Sequence, residues 1–181
     1  SEVSVRLEYA AAKLAAEIAT INAARNCGMR AVVVRPFNVA GPGQSGAGGF
    51  VLPRFVRQAL SGQPITVYGD GSAVRALTHV DDAADGLVRA LRSGRSGAAY
   101  NLGNAANRTT ILDLARLVLR ATGSSSPIAH VDPRELHGEL FAEAPDKFPD
   151  GDLARREIGW APSRNLERVV RDAVDDARSQ A

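Results

Sequence analysis

Tyr9 and Lys13, four residues apart in VRLEYAAAKLAAE (residues 5–17), form the pair best equipped for chemistry. Side chains four apart on a helix share a face. A phenol titrates near about 10 in water, too high for a base at neutral pH. A cation within a few ångströms favours the phenolate and brings it toward the range where a general base works. The pair reads as a proton-transfer couple; the bland alternative is two unrelated side chains on an alanine-rich helix. Lys13 and Lys147 are the two lysines among 22 basic residues, a scarcity for which nucleotide bias in the source genome is the simplest cause.

GPGQSG, residues 41–46, matches G-x-G-x-x-G after a strand and before a helix, with Asp70 closing the next strand, the layout of a dinucleotide fingerprint. Against it, Pro36 to Ala40 separate the first glycine from the strand end, where the turn should aim helix amides at a pyrophosphate. Pro42 restricts the turn, and Pro53, Arg54 and Arg57 stand where tight helix–sheet packing is wanted. A mobile loop over a pocket is the preferred reading. His79 in THVDD has no second ligand at helical spacing, so a packed or capping histidine is preferred to a catalytic or metal-binding one. No metal site is expected.

Alternating strands and helices must position these residues. Residues 5–26 lack proline and glycine and read as a helix closed by Gly28. The apolar run Ala31–Val34 reads as a strand covered on both faces. A helix is expected over Phe50–Leu60, then short strands in QPITVYGDG and VRALTHV, and a helix N-capped by Asp81 and ending at Gly94. AAYNLGN is a strand and turn, Thr110 with Asp113 resembles a capping box for the next helix, and PIAHVD is a last strand. Residues 133–151 read as irregular, and two helices close the chain. Trp160 is read as core, Asp175 and Asp176 as a solvated helix face. The class is α/β with a mainly parallel sheet.

The totals set limits. Apolar residues make up 45% of the 181, enough for a core. Net charge is +2 with both signs interspersed, which is no nucleic-acid footprint. No run approaches the ~20 apolar residues of a membrane span. The single cysteine, Cys27, cannot form an internal disulfide, which suits a reducing cytoplasm.

Six segments in order carry a resemblance: YAAAK (Tyr9, Lys13), RPFNVAGPGQ (35–44), LPRFVRQALSGQPITVYGDG (52–71), VRALTHVDDAADGL (74–87), YNLGN (100–104) and DLARREIGWAP (152–162). The chain resembles the C-terminal half of an extended short-chain dehydrogenase/reductase of the nucleotide-sugar epimerase/dehydratase group. The resemblance implies the C-terminal part of a Rossmann-type doubly wound parallel sheet plus a smaller substrate-binding α/β subdomain. On this reading residues 1–41 and 74–103 belong to the Rossmann part, and 42–73 and 104–181 to the substrate-binding part. In that family Tyr9 takes a proton from a sugar hydroxyl while NAD is reduced, and Lys13 holds the nicotinamide ribose. Pro36 and Phe37 pass the nicotinamide. Asn38, Phe50, Val51, Val67, Tyr68, Arg75 and Lys147 fall on segments that contact the nucleotide sugar, Arg75 as the diphosphate arginine.

The chain departs from the pattern at Ala76 and Leu77, at Phe50 where a polar asparagine is common, and at Lys147 where many relatives carry a second arginine. The activity implied is transient oxidation at sugar C4, as in a UDP-sugar 4-epimerase. A decarboxylase, a 4,6-dehydratase or a non-catalytic nucleotide-sugar-binding module are the alternatives. The family's glycine-rich NAD loop, ribose-binding acid and catalytic serine or threonine precede the tyrosine. The expectation is therefore a fragment, inactive alone, whose NAD is bound mainly by the missing half. A homodimer through the Tyr9–Lys13 helix is also implied; Leu14, Ile18 and Ile21 would suit it, though core burial explains them equally well.

Overall fold

The computed structural model describes residues 5–46, 49–132, 134–135 and 148–180. The order is α1 (Val5–Asn26), β1 (Val33–Pro36), β2 (Val39–Ala40), α2 (Val51–Leu60), β3 (Ile65–Tyr68), β4 (Val74–Ala76), β5 (Thr78–His79) and α3 (Val80–Ser93). There follow β6 (Ala99–Leu102), a 3-10 turn (Ala105–Asn107), β7 (Arg108–Thr110), α4 (Ile111–Thr122), β8 (Ile128–Val131), α5 (Asp152–Ile158) and α6 (Leu166–Ser179). Strands β1 and β6, β2 and β5, and β3 and β8 pair in parallel, while β4 and β7 pair antiparallel. This is the α/β class expected of strands that alternate with crossover helices.

Local chemistry sets the element ends. Thr110 caps α4 by accepting from the Asp113 amide at 3.0 Å, and its hydroxyl donates to the Asp113 carboxylate at 2.8 Å. Asn165 caps α6 in the same way through the Arg168 amide. Asp81 is not the cap of α3. His79 is, its Nδ1 accepting from the Asp81 amide at 3.1 Å. The imidazole prevails because it is fully buried and held from the other side, Nε2 lying 3.2 Å from the Asp172 carboxylate. With Nδ1 accepting, the ring proton sits on Nε2 and is donated to Asp172.

Strand β1 starts two residues later than its apolar run, and it is not covered on both faces: Val33 and Val34 are half-buried, Arg35 and Pro36 exposed. Its one partner among the described residues is β6, and Val32 and Val34 pack on a single cluster. Asp175 is exposed as expected, but Asp176 is half-buried and accepts from the Gly43 amide at 2.9 Å. The 41–46 loop thus folds onto α6, and the amide it could offer an anion is held by a carboxylate. Helix α2 begins at Val51, five residues beyond Gly46, so the 41–46 loop does not lead directly into it, which counts further against the dinucleotide reading.

Two apolar clusters result. The larger gathers Leu52, Phe55 and Val56 of α2, Ile65 and Val67 of β3, Leu114 and Val118 of α4, and Val169, Val170 and Val174 of α6. The smaller holds Tyr100 and Leu102 of β6, Ala90 of α3, and Ala154, Ile158 and Trp160. The sequence grouped residues 152–160 with the substrate-binding part; their side chains pack against β6. Gly86 lets α3 approach this closely, since a Cβ there would sit 2.5 Å from Leu102 Cδ1 and 2.9 Å from Trp160 Nε1. The Trp160 indole N–H donates to the Asp82 carbonyl at 2.8 Å. Helix α1 joins neither cluster: Tyr9, Leu14 and Ile18 are exposed, and Ile21 is half-buried. Among the described residues no helix is long and apolar enough to cross a membrane.

Candidate active site

Tyr9, Lys13 and Glu17 recur every four residues on α1 and form one stripe. Glu17 ties that stripe to β1 through a two-pronged ion pair with Arg35, whose Nε donates to Glu17 Oε1 at 2.8 Å. The hydrogen bond from Arg35 holds the Glu17 carboxyl below its ordinary pKa, against the opposing effect of burial. The Lys13 ammonium lies over the Tyr9 ring, 5.5 Å from its centre, a cation–π contact rather than a contact with the hydroxyl.

Beyond the stripe the chain turns at the end of β1. The Phe37 amide donates to the Leu102 carbonyl at 2.9 Å, and its carbonyl accepts from Thr78 Oγ1 at 2.8 Å. Pro36 has no N–H. The Pro36–Phe37 segment therefore has only carbonyl lone pairs left for a ligand. Asn38 follows with φ +43, the one described non-glycine residue in the left-handed region, which asparagine tolerates well. Its Nδ2 donates to the Ala76 carbonyl at 3.1 Å, so Asn38 is a turn residue and also a cavity residue.

The cavity measures about 410 Å³ and opens between the 38–44 turn, the start of α2, and the ends of β3 and β4. Asn38, Phe50, Val51, Tyr68 and Arg75 all line it. Val67 does not: its side chain is fully buried in the larger cluster, beneath Gly71. Tyr9, Lys13, Pro36 and Phe37 stand outside the cavity lining. Lys147 lies outside the described residues. Arg75 donates to the Val74 carbonyl at 2.8 Å. In the turn after β3, the Ser72 hydroxyl and amide bond Asp70 and hold its carboxyl below the ordinary aspartate range.

Two polar lining residues were not anticipated as site residues. Arg54 and Gln44 both face this space. Arg54 lies three residues after Val51, on the side of α2 opposite Leu52, Phe55, Val56 and Ala59, so helical periodicity was the signal that could have found it. Its guanidinium stacks 4.1 Å above the Tyr68 ring, and Nη2 donates to the Thr66 carbonyl at 3.1 Å. Gln58, one turn on, accepts from the Thr66 amide at 3.1 Å. Side chains of α2 thus satisfy the edge of β3 that faces away from β8. The lining carries two guanidinium groups and no carboxylate, so among the described residues its charge favours an anion. His79 is occupied as a cap, and the described residues hold no cluster of His, Cys, Asp and Glu suited to a metal.

Comparison with known proteins agrees with this architecture. Residues 2–103, more than half of the chain, match the model of the NAD dependent epimerase/dehydratase family. UDP-N-acetyl-alpha-D-glucosaminuronate decarboxylase of Bacillus cytotoxicus is 30% identical over 171 residues, 94% of this chain and 53% of the relative. UDP-glucuronic acid decarboxylase 2 of Arabidopsis thaliana is 32% identical over 178 residues, 98% of this chain and 38% of the relative. The chain thus spans about half, or less, of the length of these curated relatives. The crystal structure of UDP-glucose 4-epimerase of Thermotoga maritima with UDP-glucose superposes with a TM-score of 0.85 at 28% identity, covering 95% of this chain and 53% of that one. The chain belongs to the NAD dependent epimerase/dehydratase family, and its fold is the Rossmann-type α/β fold of such enzymes.

Proposed function

From this family membership, we propose that the whole protein is an NAD-dependent enzyme acting on a UDP-sugar through transient oxidation at sugar C4, with 4-epimerisation as the outcome. The observation that carries the reading is the cavity of about 410 Å³ lined by Arg54 and Arg75 without a carboxylate, which suits a diphosphate flanked by less polar groups. Tyr9 takes the proton of the sugar 4-hydroxyl onto its phenolic oxygen as the C4 ketone forms, and returns it when the ketone is reduced. Lys13 supplies positive charge near that oxygen; its unbranched stem can swing the ammonium from the Tyr9 ring to the ribose hydroxyls and the phenol edge.

The residues present fit NAD as far as they reach. Lys13 offers donors to a ribose, and the carbonyls of Pro36 and Phe37 offer acceptors to the carboxamide NH₂. When bound, NAD supplies the acceptor for the hydrogen that leaves C4 with its electron pair. Most of its binding falls to residues outside this chain. Asn38, Phe50, Val51, Tyr68 and Arg75 take the nucleotide sugar, with Lys147 completing the set; Val67, its side chain buried in the core, can add only its backbone. Pairing of two copies through α1 belongs to the same proposal, supported by exposed Leu14 and Ile18.

Decarboxylation of a UDP-uronic acid is the second reading, favoured by the named activities of the two sequence relatives. The test is to incubate the whole protein and NAD separately with UDP-glucose and UDP-glucuronic acid and follow the sugars by proton NMR. A 4-epimer supports the first reading and a UDP-pentose the second. Failure to turn over any nucleotide sugar, with NAD bound, overturns both.

A further inference from the structure

Two buried polar atoms in the described residues have no hydrogen-bond partner, Arg54 Nε and Gln44 Oε1, and both residues line the cavity of about 410 Å³. Such groups are uncommon in folded proteins and call for an explanation. Neither side chain is free to turn away. Arg54 is held by the Thr66 carbonyl at 3.1 Å and by the Tyr68 ring at 4.1 Å. Gln44 is oriented by its Nε2, which donates to the Val39 carbonyl at 3.2 Å, so its oxygen must point elsewhere. One orphan is a charged donor and the other a neutral acceptor. A ligand that satisfies both presents an anionic oxygen to Arg54 and a hydroxyl to Gln44.

We propose that Arg54 is a second anion-binding guanidinium of this cavity, sharing a diphosphate with Arg75, and that Gln44 Oε1 accepts from a sugar hydroxyl of the same ligand. This rests on the nucleotide-sugar reading for the identity of the ligand, but not for the charge. The sequence assigned the second cation to Lys147, a point charge; Arg54 is a planar fork already stacked and oriented before a ligand arrives. Pre-ordering matters because a ligand then meets a donor whose rotamer freedom is already lost.

The test is calorimetric titration of the whole protein and its Arg54→Gln and Arg54→Lys variants with inorganic pyrophosphate, UDP and uridine. Arg54→Gln should weaken pyrophosphate and UDP by about tenfold or more, the scale of one charge-assisted hydrogen bond, and leave uridine unchanged. Arg54→Lys should recover part of the loss, which also guards against a folding defect in the glutamine variant. Gln44→Leu should weaken UDP-glucose but not pyrophosphate.

Equal weakening of uridine and UDP would mean that Arg54 serves only the Tyr68 platform and would overturn the proposal. So would unchanged UDP affinity in both variants. If the unaltered protein binds pyrophosphate in an Arg54-dependent way but neither UDP nor UDP-glucose, the anion site stands and the nucleotide-sugar reading falls. If it binds UDP and the variants match it, the reverse holds. Binding of none of the probes sinks both.

Discussion

Helices α1 and α2 carry cations in opposite circumstances. Helix α1 holds Lys13 and Tyr9 on an open stripe, and it exposes Leu14 at 57% and Ile18 at 52%. Helix α2 buries Leu52, Phe55, Val56 and Ala59 and fixes Arg54 between a carbonyl and an aromatic ring. On α1 the proposed chemistry rests on residue types and spacing, with little packing around it. On α2 the chemistry is a product of packing: Arg54 is an ordinary surface-type residue until β3 and Tyr68 come to lie beside it. The proposed site would combine a proton-transfer pair, with little to hold it within these residues, and a rigid cavity wall.

The contrast predicts that changes on α1 act on rate and changes beside α2 act on stability. The largest effect expected is from Tyr9→Phe in the whole protein. It should lower kcat by about 10²–10⁴-fold, as loss of a general base does, while the melting temperature stays within a degree or so. Near-unchanged kcat would make the tyrosine a helix residue and nothing more. Next is the paired comparison of Leu114→Ala with Leu14→Ala. Leu114 is fully buried in the larger cluster, and its truncation should cost about 2–5 kcal/mol in denaturant unfolding. Leu14→Ala should stay within about 0.5 kcal/mol, as exposed positions do. A large loss at Leu14 would show that a partner surface covers α1.

A third effect is pH-dependent. Burial works to raise the Asp82 pKa, but hydrogen bonds from the Arg164 and Ser163 amides, the Ser163 hydroxyl and the Arg164 guanidinium outweigh it, and the net shift is downward. A carboxyl depressed on folding stabilises the fold fully above its unfolded value, near about 3.9 for aspartate. That contribution is lost as the pH falls through the lower folded value. Acid unfolding of Asp82→Asn should therefore be less steep below about pH 4 than that of the unaltered protein. Equal steepness would remove Asp82 from the acid response. The smallest effect is that of Glu17→Gln. Half of its ion pair is exposed, Arg35 by 47%, so stability should change by less than about 1 kcal/mol and the change should shrink in high salt.

The family was legible in the sequence, and so was the helix that sets Tyr9 and Lys13 on one stripe, because both live in local patterns. Tyr9 and Lys13 need only helical spacing, and the Thr110–Asp113 box is read within four residues. What was not legible depends on distant partners. Asp81 looked like the cap of α3, but the choice went to His79 because Asp172, ninety-three residues away, holds the imidazole. Arg54 looked like an obstacle to packing and became a cavity wall because Thr66 and Tyr68 meet it in space. Val67 shares its segment with Tyr68, yet strand alternation sends the two side chains to opposite sides, one to the core and one to the cavity.

Arg164 has a consequence for how the molecule comes apart. Its guanidinium bonds Asp81 and Asp82 at the start of α3, 3.0 and 2.7 Å away. Its carbonyl accepts from both Asn104 and Asn107 at 3.0 Å. The same short stretch runs from Trp160 in the smaller cluster to Leu166 at the larger. Arg164 thereby joins the two clusters, beside the His79–Asp172 bond that ties the start of α3 to α6. Heat should unfold them in a single cooperative transition, and Arg164→Ala, by removing the guanidinium contacts to Asp81 and Asp82 while the carbonyl bonds remain, should broaden it.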